Sequence, residues 1–302
     1  MNVLVTGATG FIGSHLCEEL IKKYEVFGLT QSGNTKKINH LLNHKNFHLI
    51  KGDINRIIPI EKIIKNSNIK TVFHLAAFLP VKESFKNDIT CIEINVKGTL
   101  NLISASIVGG VKNFIYSSTM SVYSTPPKHL PIDENHPTNP STMYGASKLW
   151  GEFICNLHSK KLNVTILRYS GVYGPRQDTF KAIPLFIKNA IENKPIVLFS
   201  KGKQMSDFVY VKDVAKANIL AIDKPGIFNI GSGQEISIEE LAKRIISLCN
   251  SQSKIIYSNK ESPRSFHFAY DINKARKKIG FSPISLDNGL LEFIRYIKGE
   301  KQ

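Results

Sequence analysis

The sequence predicts an α/β fold in which a doubly wound parallel sheet is followed by a smaller C-terminal lobe. Three observations lead to this prediction. Apolar runs rich in β-branched residues alternate with segments of helical periodicity as far as Ile230. A glycine-rich turn joins the first run to the first helical segment, and prolines interrupt the regular pattern after Arg168.

The alternating segments predict the order of the elements. Strands are expected at residues 2–5, 25–29, 47–50, 71–74, 113–117, 164–168 and 227–230. Helices are expected at residues 11–23, 60–66, 89–109, 143–158, 183–192, 211–222 and 238–249. Parallel strands joined by helices form one sheet covered on both faces, so a ligand is expected outside the carboxyl ends of the strands.

The same pattern divides the chain into two regions. Residues 1–174 are predicted to form the main domain, to which residues 208–250 return. The lobe is predicted from residues 175–207 and 251–302, because prolines at positions 175, 184, 195, 263 and 283 punctuate these segments.

The composition is that of a globular chain with an excess of positive charge. Of the 302 residues 42% are hydrophobic, and 40 basic against 24 acidic residues give a net charge of +16. The basic residues are spread along the chain, and the densest patch, at residues 274–278, is short. We therefore expect no nucleic-acid partner, and we expect the charge to attract a small anionic ligand such as a nucleotide diphosphate.

The cysteines and the hydropathy pattern indicate an intracellular protein. The four cysteines are far apart and form no CxxC pair: Cys17, Cys91, Cys155 and Cys249. This spacing favours neither a metal site nor a disulfide framework. No segment approaches the roughly 18 apolar residues that a membrane helix needs. A cytoplasmic location without membrane contact is the expectation.

The turn between the first strand and the first helix has the pattern GxxGxxG, with Gly7, Gly10 and Gly13. Glycines let the backbone turn tightly and approach a pyrophosphate, whose charge the free N–H groups of a helix N-terminus bind. The apolar strand before the turn and the helix after it supply the context that an ordinary glycine turn lacks. The sequence therefore predicts a Rossmann-type dinucleotide-binding domain.

The end of the second strand bears on the choice between NAD and NADP. An acidic residue there favours NAD, because it binds the ribose 2′-hydroxyl. The sequence instead has a group of polar and cationic residues: Thr30, Gln31, Ser32, Lys36 and Lys37. Hydroxyls and cations admit a 2′-phosphate, so NADP is slightly favoured over NAD. Asp53, after the third strand, either accepts a hydrogen bond from adenine or is a turn residue.

A threonine, a tyrosine and a lysine form a candidate catalytic group. Thr119 ends the fifth strand, and Tyr144 and Lys148 lie four residues apart on the next helix, so they share a face. A lysine cation stabilises the phenolate and brings proton transfer within reach near neutral pH. The Thr119 hydroxyl is placed to bind the reacting oxygen while hydride moves to or from a nicotinamide. A YxxxK pair alone is more often a surface Tyr over a Lys, but its position after the glycine turn favours catalysis.

With these motifs the chain resembles the extended short-chain dehydrogenase/reductase superfamily, and within it the NAD-dependent epimerase/dehydratase family that acts on nucleotide sugars. The matching segments are residues 6–13, 52–54, 74–77, 95, 98–99, 117–123, 144–148, 167–169, 172–175, 207–214, 228–231 and 271–275. The resemblance covers nearly the whole chain.

The resemblance implies roles for particular residues. Thr119, Tyr144 and Lys148 form the catalytic triad, with Tyr144 as general acid/base. Together with the residues derived above, the expected cofactor contacts are Gly7, Gly10, Phe11, Ile12, Gly13, Thr30, Gln31, Ser32, Asp53, Ile54, Leu75, Ala76, Ala77, Asn95, Ser117, Tyr144, Lys148 and Ser170. The expected contacts of a nucleotide-diphosphate sugar are Thr119, Tyr144, Val197, Phe199 and Arg264. Relatives pair the helices at 89–109 and 143–158 with a second subunit, so we expect a homodimer with a four-helix bundle.

The residues after Thr119 narrow the reaction. The family's dehydratases have Asp-Glu there, and its decarboxylases keep the Glu, whereas this chain has Met120 and Ser121. Neither side chain serves as the required acid or base, which leaves a keto-reductase and an epimerase. Thr30 favours NADP, and a reductase consumes and exchanges its reduced cofactor. The main interpretation is therefore a 4-keto-sugar reductase. The alternatives are an NAD-dependent nucleotide-sugar 4-epimerase and a non-catalytic NADP-binding sensor.

Two positions depart from the family pattern. Gly171 stands where many members have Asn, and Ser206 stands where they have an Arg; both family residues help to hold the substrate diphosphate. The cations available to replace that charge are Lys201, Lys203, Lys260 and Arg264. Each is better explained as a solvated surface charge than as a diphosphate ligand, and a non-sugar carbonyl substrate stays open. His74, at the end of the fourth strand, is expected to be structural rather than catalytic.

Overall fold

The computed structural model describes residues 1–80, 84–260 and 267–300. The strands are β1 (Asn2–Thr6), β2 (Glu25–Thr30), β3 (Phe47–Lys51), β4 (Ile69–His74), β5 (Asn113–Thr119), β6 (Asn163–Tyr169), β7 (Gly171–Tyr173), β8 (Ile196–Leu198), β9 (Met205–Tyr210), β10 (Gly226–Ile230), β11 (Glu235–Ser237) and β12 (Ile255–Tyr257). The α-helices are α1 (Phe11–Leu20), α2 (Ile57–Asn66), α3 (Phe85–Cys91), α4 (Gly98–Val108), α5 (Met143–Leu157), α6 (Ala182–Ile191), α7 (Val211–Leu220), α8 (Ile238–Leu248), α9 (Asn273–Ile279) and α10 (Leu286–Lys298).

The main domain is built on a seven-stranded parallel sheet with the order β3-β2-β1-β4-β5-β6-β10. All seven strands predicted from the sequence belong to it, so the predicted doubly wound α/β fold is confirmed. The strand order reverses between β1 and β4. The crevice at such a reversal, outside the carboxyl ends of the strands, is where this kind of sheet binds ligands.

The first strand shows why the predicted runs are apolar at every position. Val3 and Val5 pack on the side of the sheet that holds Leu16 of α1. Leu4, between them, packs on the opposite side with Leu102 of α4. Alternate side chains of a strand point to opposite faces, so a strand covered by helices on both sides must be apolar on both.

The single helix predicted at residues 89–109 is divided in the structure. A π-helical segment, Ile92–Lys97, lies between α3 and α4. Asn95 in this segment is buried, and its side-chain amide bonds to the backbone of Phe78 and to Ser147. A π segment adds a residue to the helical turn and occurs mainly near functional sites. Apolar periodicity does not show such an insertion, which is why the sequence predicted one continuous helix.

The lobe has an apolar core of its own, formed by residues of α6, α8, α10 and β8. Two small sheets, with the orders β11-β9-β7 and β12-β8, complete it. Four of these strands have three residues each, which is too short for an alternating pattern to predict.

The boundary between the main domain and the lobe differs from the prediction in two places. The chain returns to the main sheet with α7, which packs on α1, and with β10, which pairs with β6. However, α8 packs in the lobe core through Leu241 and Ile245. Conversely, α9 packs on the main core through Ala275 and Ile279. An apolar stripe shows that a helix is packed, but not which layer covers it.

Two properties concern the described residues as a whole. None of their helices combines the length and the apolar character that crossing a bilayer requires. All four cysteines are free thiols, and Cys17, Cys91 and Cys155 are buried.

A buried ion pair fixes α5 to the sheet. Arg168 of β6 donates from Nε and Nη2 to the two carboxylate oxygens of Glu152, at 3.0 and 2.6 Å. Both side chains are at most 4% exposed. Ser118 of β5 donates to the same carboxylate. The pair therefore joins β5 and β6 to the helix that carries the predicted tyrosine and lysine.

Replacing Arg168 with Met leaves the Glu152 carboxylate buried without its counter-charge. Removing one partner of a buried pair costs about 3–5 kcal/mol of unfolding free energy. In Glu152→Met/Arg168→Met both charges are absent, so we expect a clearly smaller loss than in Arg168→Met. Urea unfolding of the two variants and the wild type measures both losses. Equal losses in the single and the double variant would contradict the proposed pairing.

Candidate active site

The glycine turn is packed too closely to accommodate side chains. Gly7 has a φ of +70°, and a Cβ on it would lie 2.9 Å from the backbone N of Ala76. A Cβ on Gly13 would lie 2.2 Å from the backbone oxygen of Gly7. Since α1 begins directly after Gly10, the turn brings the free N–H groups of its first turn to the end of β1. This arrangement binds anions.

A pocket of about 450 Å³ opens at this end of the sheet. Ten of the expected cofactor residues line it: Gly7, Gly10, Thr30, Gln31, Ser32, Asp53, Ile54, Leu75, Ala76 and Ala77. Thr9, Asn34 and Ile94 line it as well, and sequence reasoning did not identify them. A cavity at the reversal of the strand order, walled by backbone that tolerates no Cβ, fits the adenosine and pyrophosphate parts of a dinucleotide.

Eight expected cofactor residues are not among those lining this pocket: Phe11, Ile12, Gly13, Asn95, Ser117, Tyr144, Lys148 and Ser170. Phe11 and Ile12, at the start of α1, pack against the lobe core. The Ser117 hydroxyl lies 2.9 Å from that of Tyr169. The contact of these eight residues with a cofactor stays a prediction.

The side of the pocket at the end of β2 is held by contacts among its own side chains. The hydroxyls of Thr30 and Thr9 lie 2.9 Å apart, and Gln31 Nε2 donates to Asp53 Oδ2 at 3.1 Å. Asp53 Oδ1 also accepts from the backbone N of Asn55 at 2.9 Å. Asp53 is therefore a turn residue and also part of the pocket wall, so both interpretations of it from the sequence remain compatible with the structure.

Thr119 and Tyr144 meet where β5 ends and α5 begins. Thr119 Oγ1 accepts from the backbone N of Ser121 at 3.2 Å. Thr142 caps α5 by accepting from the backbone N of Gly145 at 3.1 Å, which places Tyr144 in the first helical turn. Burial raises the pKa of the Tyr144 phenol to about 12, and a hydrogen bond with Thr119 opposes this rise. The phenol therefore needs a nearby cation to lose its proton near neutral pH.

Lys148, one helical turn after Tyr144, is buried to 2% exposure. Its Nζ lies 4.1 Å from the centroid of the Tyr116 ring, as in a cation–π contact. Burial lowers the pKa of Lys148 to about 7, and electrostatic interactions with Cys155 and Glu152 oppose this fall. A negative charge that forms beside this amine strongly favours its protonated form.

His74 is a structural histidine. Its Nδ1 lies 2.8 Å from Thr6 Oγ1, and its Nε2 lies 3.0 Å from Thr99 Oγ1. The Thr99 hydroxyl donates to the backbone oxygen of Asn95, so it accepts from Nε2, and Nδ1 accepts from Thr6. Burial lowers the pKa of His74 well below its usual range. The ring is thus neutral, with both nitrogens bonded.

Asn95 positions α5, the helix that carries Tyr144 and Lys148. Its Oδ1 accepts from the backbone N of Phe78 at 2.7 Å, and its Nδ2 donates at 2.9 Å to Phe78 O and to Ser147 Oγ. Ser147 in turn donates to the backbone oxygen of Tyr144 at 2.8 Å. Asn95 therefore links the segment after β4 to the first turn of α5. Its expected contact with a cofactor stays a prediction.

Two of the expected substrate residues lie in the lobe, apart from Thr119 and Tyr144 of the main domain. Val197 and Phe199, in β8 and directly after it, are 44% and 46% exposed. Arg264 lies outside the described residues. Gly171 pairs with Phe208 of the neighbouring strand β9, and a Cβ on Gly171 would lie 2.9 Å from the Phe208 ring. An Asn at this position would have to displace that ring, which explains the glycine.

Asp207 has a role that sequence reasoning did not assign. This fully buried carboxylate accepts from the backbone N of Ser232, Gly233 and Tyr270 and from the hydroxyls of Ser170 and Ser232, at 2.7–3.3 Å. Burial raises the pKa of Asp207, and these hydrogen bonds oppose the rise. The residue joins β9 to the loop after β10. The feature of the sequence that could have indicated this role is an acidic residue within a run of strand-forming residues.

The comparisons with known proteins agree with this geometry. The sequence model of the NAD dependent epimerase/dehydratase family matches residues 3–231. A putative UDP-glucose 4-epimerase from Methanocaldococcus jannaschii is 34% identical over 99% of both chains. The structure of a UDP-glucose 4-epimerase from Thermotoga maritima with UDP-glucose aligns with a TM-score of 0.91, at 32% identity and 99% coverage of both chains. A UDP-glucuronic acid 4-epimerase from Bacillus cereus, solved with UDP-glucuronic acid and NAD, aligns with a TM-score of 0.88, at 32% identity and the same coverage.

Replacing Lys148 with Met removes a buried charge and keeps much of the side-chain volume. The pKa of Lys148 is 10.5 in the unfolded chain and about 7 in the folded one. The cost of burying its charge is therefore complete below about pH 7 and fades as the pH rises toward 10.5. We expect Lys148→Met to be more stable than the wild type by about 2–4 kcal/mol near pH 6, and the difference to shrink by about pH 10. Chemical unfolding of the nucleotide-free protein measures it; a difference that does not change with pH would contradict the assignment.

Proposed function

This chain belongs to the NAD-dependent epimerase/dehydratase family, and from that premise we propose that it is a nucleotide-sugar 4-epimerase. The observation that carries the proposal is similarity over the whole chain to 4-epimerases, among them those that act on UDP-glucose and UDP-glucuronic acid. Their similarity supports the epimerase better than the 4-keto-sugar reductase that Thr30 favours. Met120 and Ser121, in place of an acid/base pair, weigh against a dehydratase.

The residues of the pocket fit a dinucleotide, and we propose that it is NAD. The glycine turn would hold the pyrophosphate, and Asp53 and the residues at the end of β2 would hold the adenosine. NAD is present in solved relatives. Thr30, Lys36 and Lys37 suggest a preference for NADP. Measuring the affinities for NAD and NADP decides between the two.

Three side chains would carry the proton chemistry. In a 4-epimerase the sugar carbon C4 loses a hydride to the bound nicotinamide and regains it on the opposite face. Tyr144 takes the proton from the 4-hydroxyl as the carbon is oxidised and returns it as the carbon is reduced. The Lys148 ammonium stabilises the phenolate, and Thr119 forms a hydrogen bond to the same sugar oxygen.

The epimerase is tested with UDP-glucose, UDP-glucuronic acid and UDP-N-acetylglucosamine as separate substrates. We expect one of them to be converted to its C4 epimer with no net gain or loss of reduced dinucleotide. Tyr144→Phe should slow this conversion about 10²–10⁴-fold, because the general acid/base is gone, while it keeps the dinucleotide that the wild type holds. Tyr296→Phe, on the exposed face of α10, is the matched control. Stoichiometric consumption of NADPH with a 4-keto sugar would favour the reductase. If Tyr144→Phe behaves like the wild type in both sugar conversion and dinucleotide retention, the sensor is favoured.

We also propose that two copies of the chain associate through α3, α4 and α5. These helices pack side by side and carry exposed apolar side chains. The exposed residues are Phe85, Ile89, Leu100, Val108, Trp150, Phe153 and Leu157. The same face on a second copy would complete a four-helix bundle. The free cysteines suit a reducing compartment, and we propose a cytoplasmic location.

Phe153→Glu tests the dimer. A charge in the centre of the apolar face should shift the mass measured by light scattering from that of two chains to that of one. Phe180→Glu is a matched control, because Phe180 is 57% exposed against 58% for Phe153 but lies near α6. A wild type of single-chain mass, or equal masses for the two variants, would overturn the proposal.

A further inference from the structure

Arg176 occupies an unusual position in the connection from β7 to α6. Its φ is +67°, in the left-handed region that few residues other than glycine and asparagine adopt. Its side chain is only 12% exposed. A backbone in this conformation persists where surrounding contacts hold it, so the partners of the guanidinium are informative.

The guanidinium joins two separate parts of the main domain. Nη1 donates to the backbone oxygen of Lys37 at 2.8 Å. Nη2 donates to Glu18 at 2.5 Å and to His15 Nδ1 at 2.7 Å. Because arginine only donates, Nδ1 accepts, and His15 Nε2 donates to the backbone oxygen of Pro175 at 2.9 Å. Arg176 and Pro175 are therefore fixed to α1, and Lys37 is fixed to Arg176.

The loop after β2, residues 31–37, forms the ribose side of the pocket. Five of its residues line the pocket: Gln31, Ser32, Asn34, Lys36 and Lys37. Two of its hydrogen bonds are local, from the backbone N of Asn34 to Ser32 and from that of Lys36 to Asn34. Its far end is held by Arg176 and by the ion pair between Lys37 and Asp178, at 3.5 Å. The connection after β7 thus fixes the end of this wall.

The other contacts of the Arg176 guanidinium are with α1, on the side of the pocket formed by the glycine turn. His15 and Glu18 lie on α1, the helix that starts at the glycine turn. One partly buried guanidinium therefore holds the ribose-side loop at a set distance from the helix whose N-terminus faces the pyrophosphate position.

We propose that Arg176 is a positioning residue for the dinucleotide: it holds the loop after β2 to α1 and thereby slows the release of the bound cofactor. The inference rests on the proposed function, because a 4-epimerase uses the same dinucleotide in successive turnovers and benefits from slow release. It concerns residues that the expected cofactor contacts do not include.

Arg176→Asn is the variant that tests this role. Asparagine tolerates the left-handed backbone, so the path of the chain is kept and the guanidinium contacts are lost. Protein loaded with NADH is mixed with excess NAD, and the loss of bound-NADH fluorescence gives the release rate. We expect release at least about tenfold faster than in the wild type, as for the loss of charge-assisted hydrogen bonds. The dinucleotide concentration at half-maximal rate should rise similarly, and kcat at saturating dinucleotide should change far less.

Two further variants complete the experiment. Arg244 bonds to Glu240 at 3.0 Å and to Asp287 at 3.2 Å, between α8 and α10 in the lobe. Arg244→Gln therefore removes two arginine–carboxylate contacts away from the pocket and should release NADH at the wild-type rate. Glu18→Gln weakens one anchor of the guanidinium, together with the contact of Glu18 with His40, and should give an intermediate rate. If Arg176→Asn does not fold, as judged by circular dichroism, Glu18→Gln carries the test.

The outcomes separate this inference from the proposed function. Wild-type release rates in folded Arg176→Asn and Glu18→Gln would overturn it, as would a loss of kcat at saturating dinucleotide with unchanged release. If the wild type epimerises no nucleotide sugar but Arg176→Asn still releases NADH faster, the epimerase proposal fails and the positioning role stands. If the wild type is an epimerase and release is unchanged, only the positioning role fails.

Discussion

The architecture depends on how closely the glycine turn brings two backbone segments together. A Cβ on Gly13 would lie 2.2 Å from the backbone oxygen of Gly7, so α1 can rise from the end of β1 only when no side chain lies between them. The position of α1 then determines where α7 packs and where His15 and Glu18 meet Arg176. The pocket, its anion-binding wall and the attachment of the lobe all follow from this one close approach.

The helix α5, which carries Tyr144 and Lys148, is held at both ends of its inner face. Tyr144, Lys148 and Glu152 are spaced four residues apart and share that face. The ion pair of Glu152 with Arg168 fixes one end, and the network of Asn95 with Ser147 fixes the other. Lys148 lies between these anchors and is shielded from water. Its ammonium therefore loses its proton more readily than that of an exposed lysine. The burial that lowers the pKa of this amine also makes it a source of instability.

The parts of the fold and site that are determined locally could be predicted from the sequence. The seven strands of the main sheet are apolar because helices cover both faces, and the spacings GxxGxxG and YxxxK each lie within one short segment. The π segment around Asn95 and the position of α8 depend on partners far along the chain, so no local pattern showed them. The same holds for Arg176, whose partners His15 and Glu18 lie 161 and 158 residues away. The sequence favours a reductase because of Thr30. A single residue at the end of β2 does not determine whether a cofactor is consumed or recycled.

The chain passes repeatedly between the sheet and the lobe. It returns to the sheet with α7 and β10, enters the lobe core with α8, packs on the main core again with α9 and ends in the lobe core with α10. The lobe is therefore interwoven with the sheet and is not a contiguous module. No single cut in the chain separates a complete sheet from a complete lobe, so recombination cannot exchange the lobe as one piece. Changes in what such a protein recognises must accumulate as point substitutions and loop insertions within the crossing segments, a route that keeps the sheet and its pocket constant while the lobe diverges.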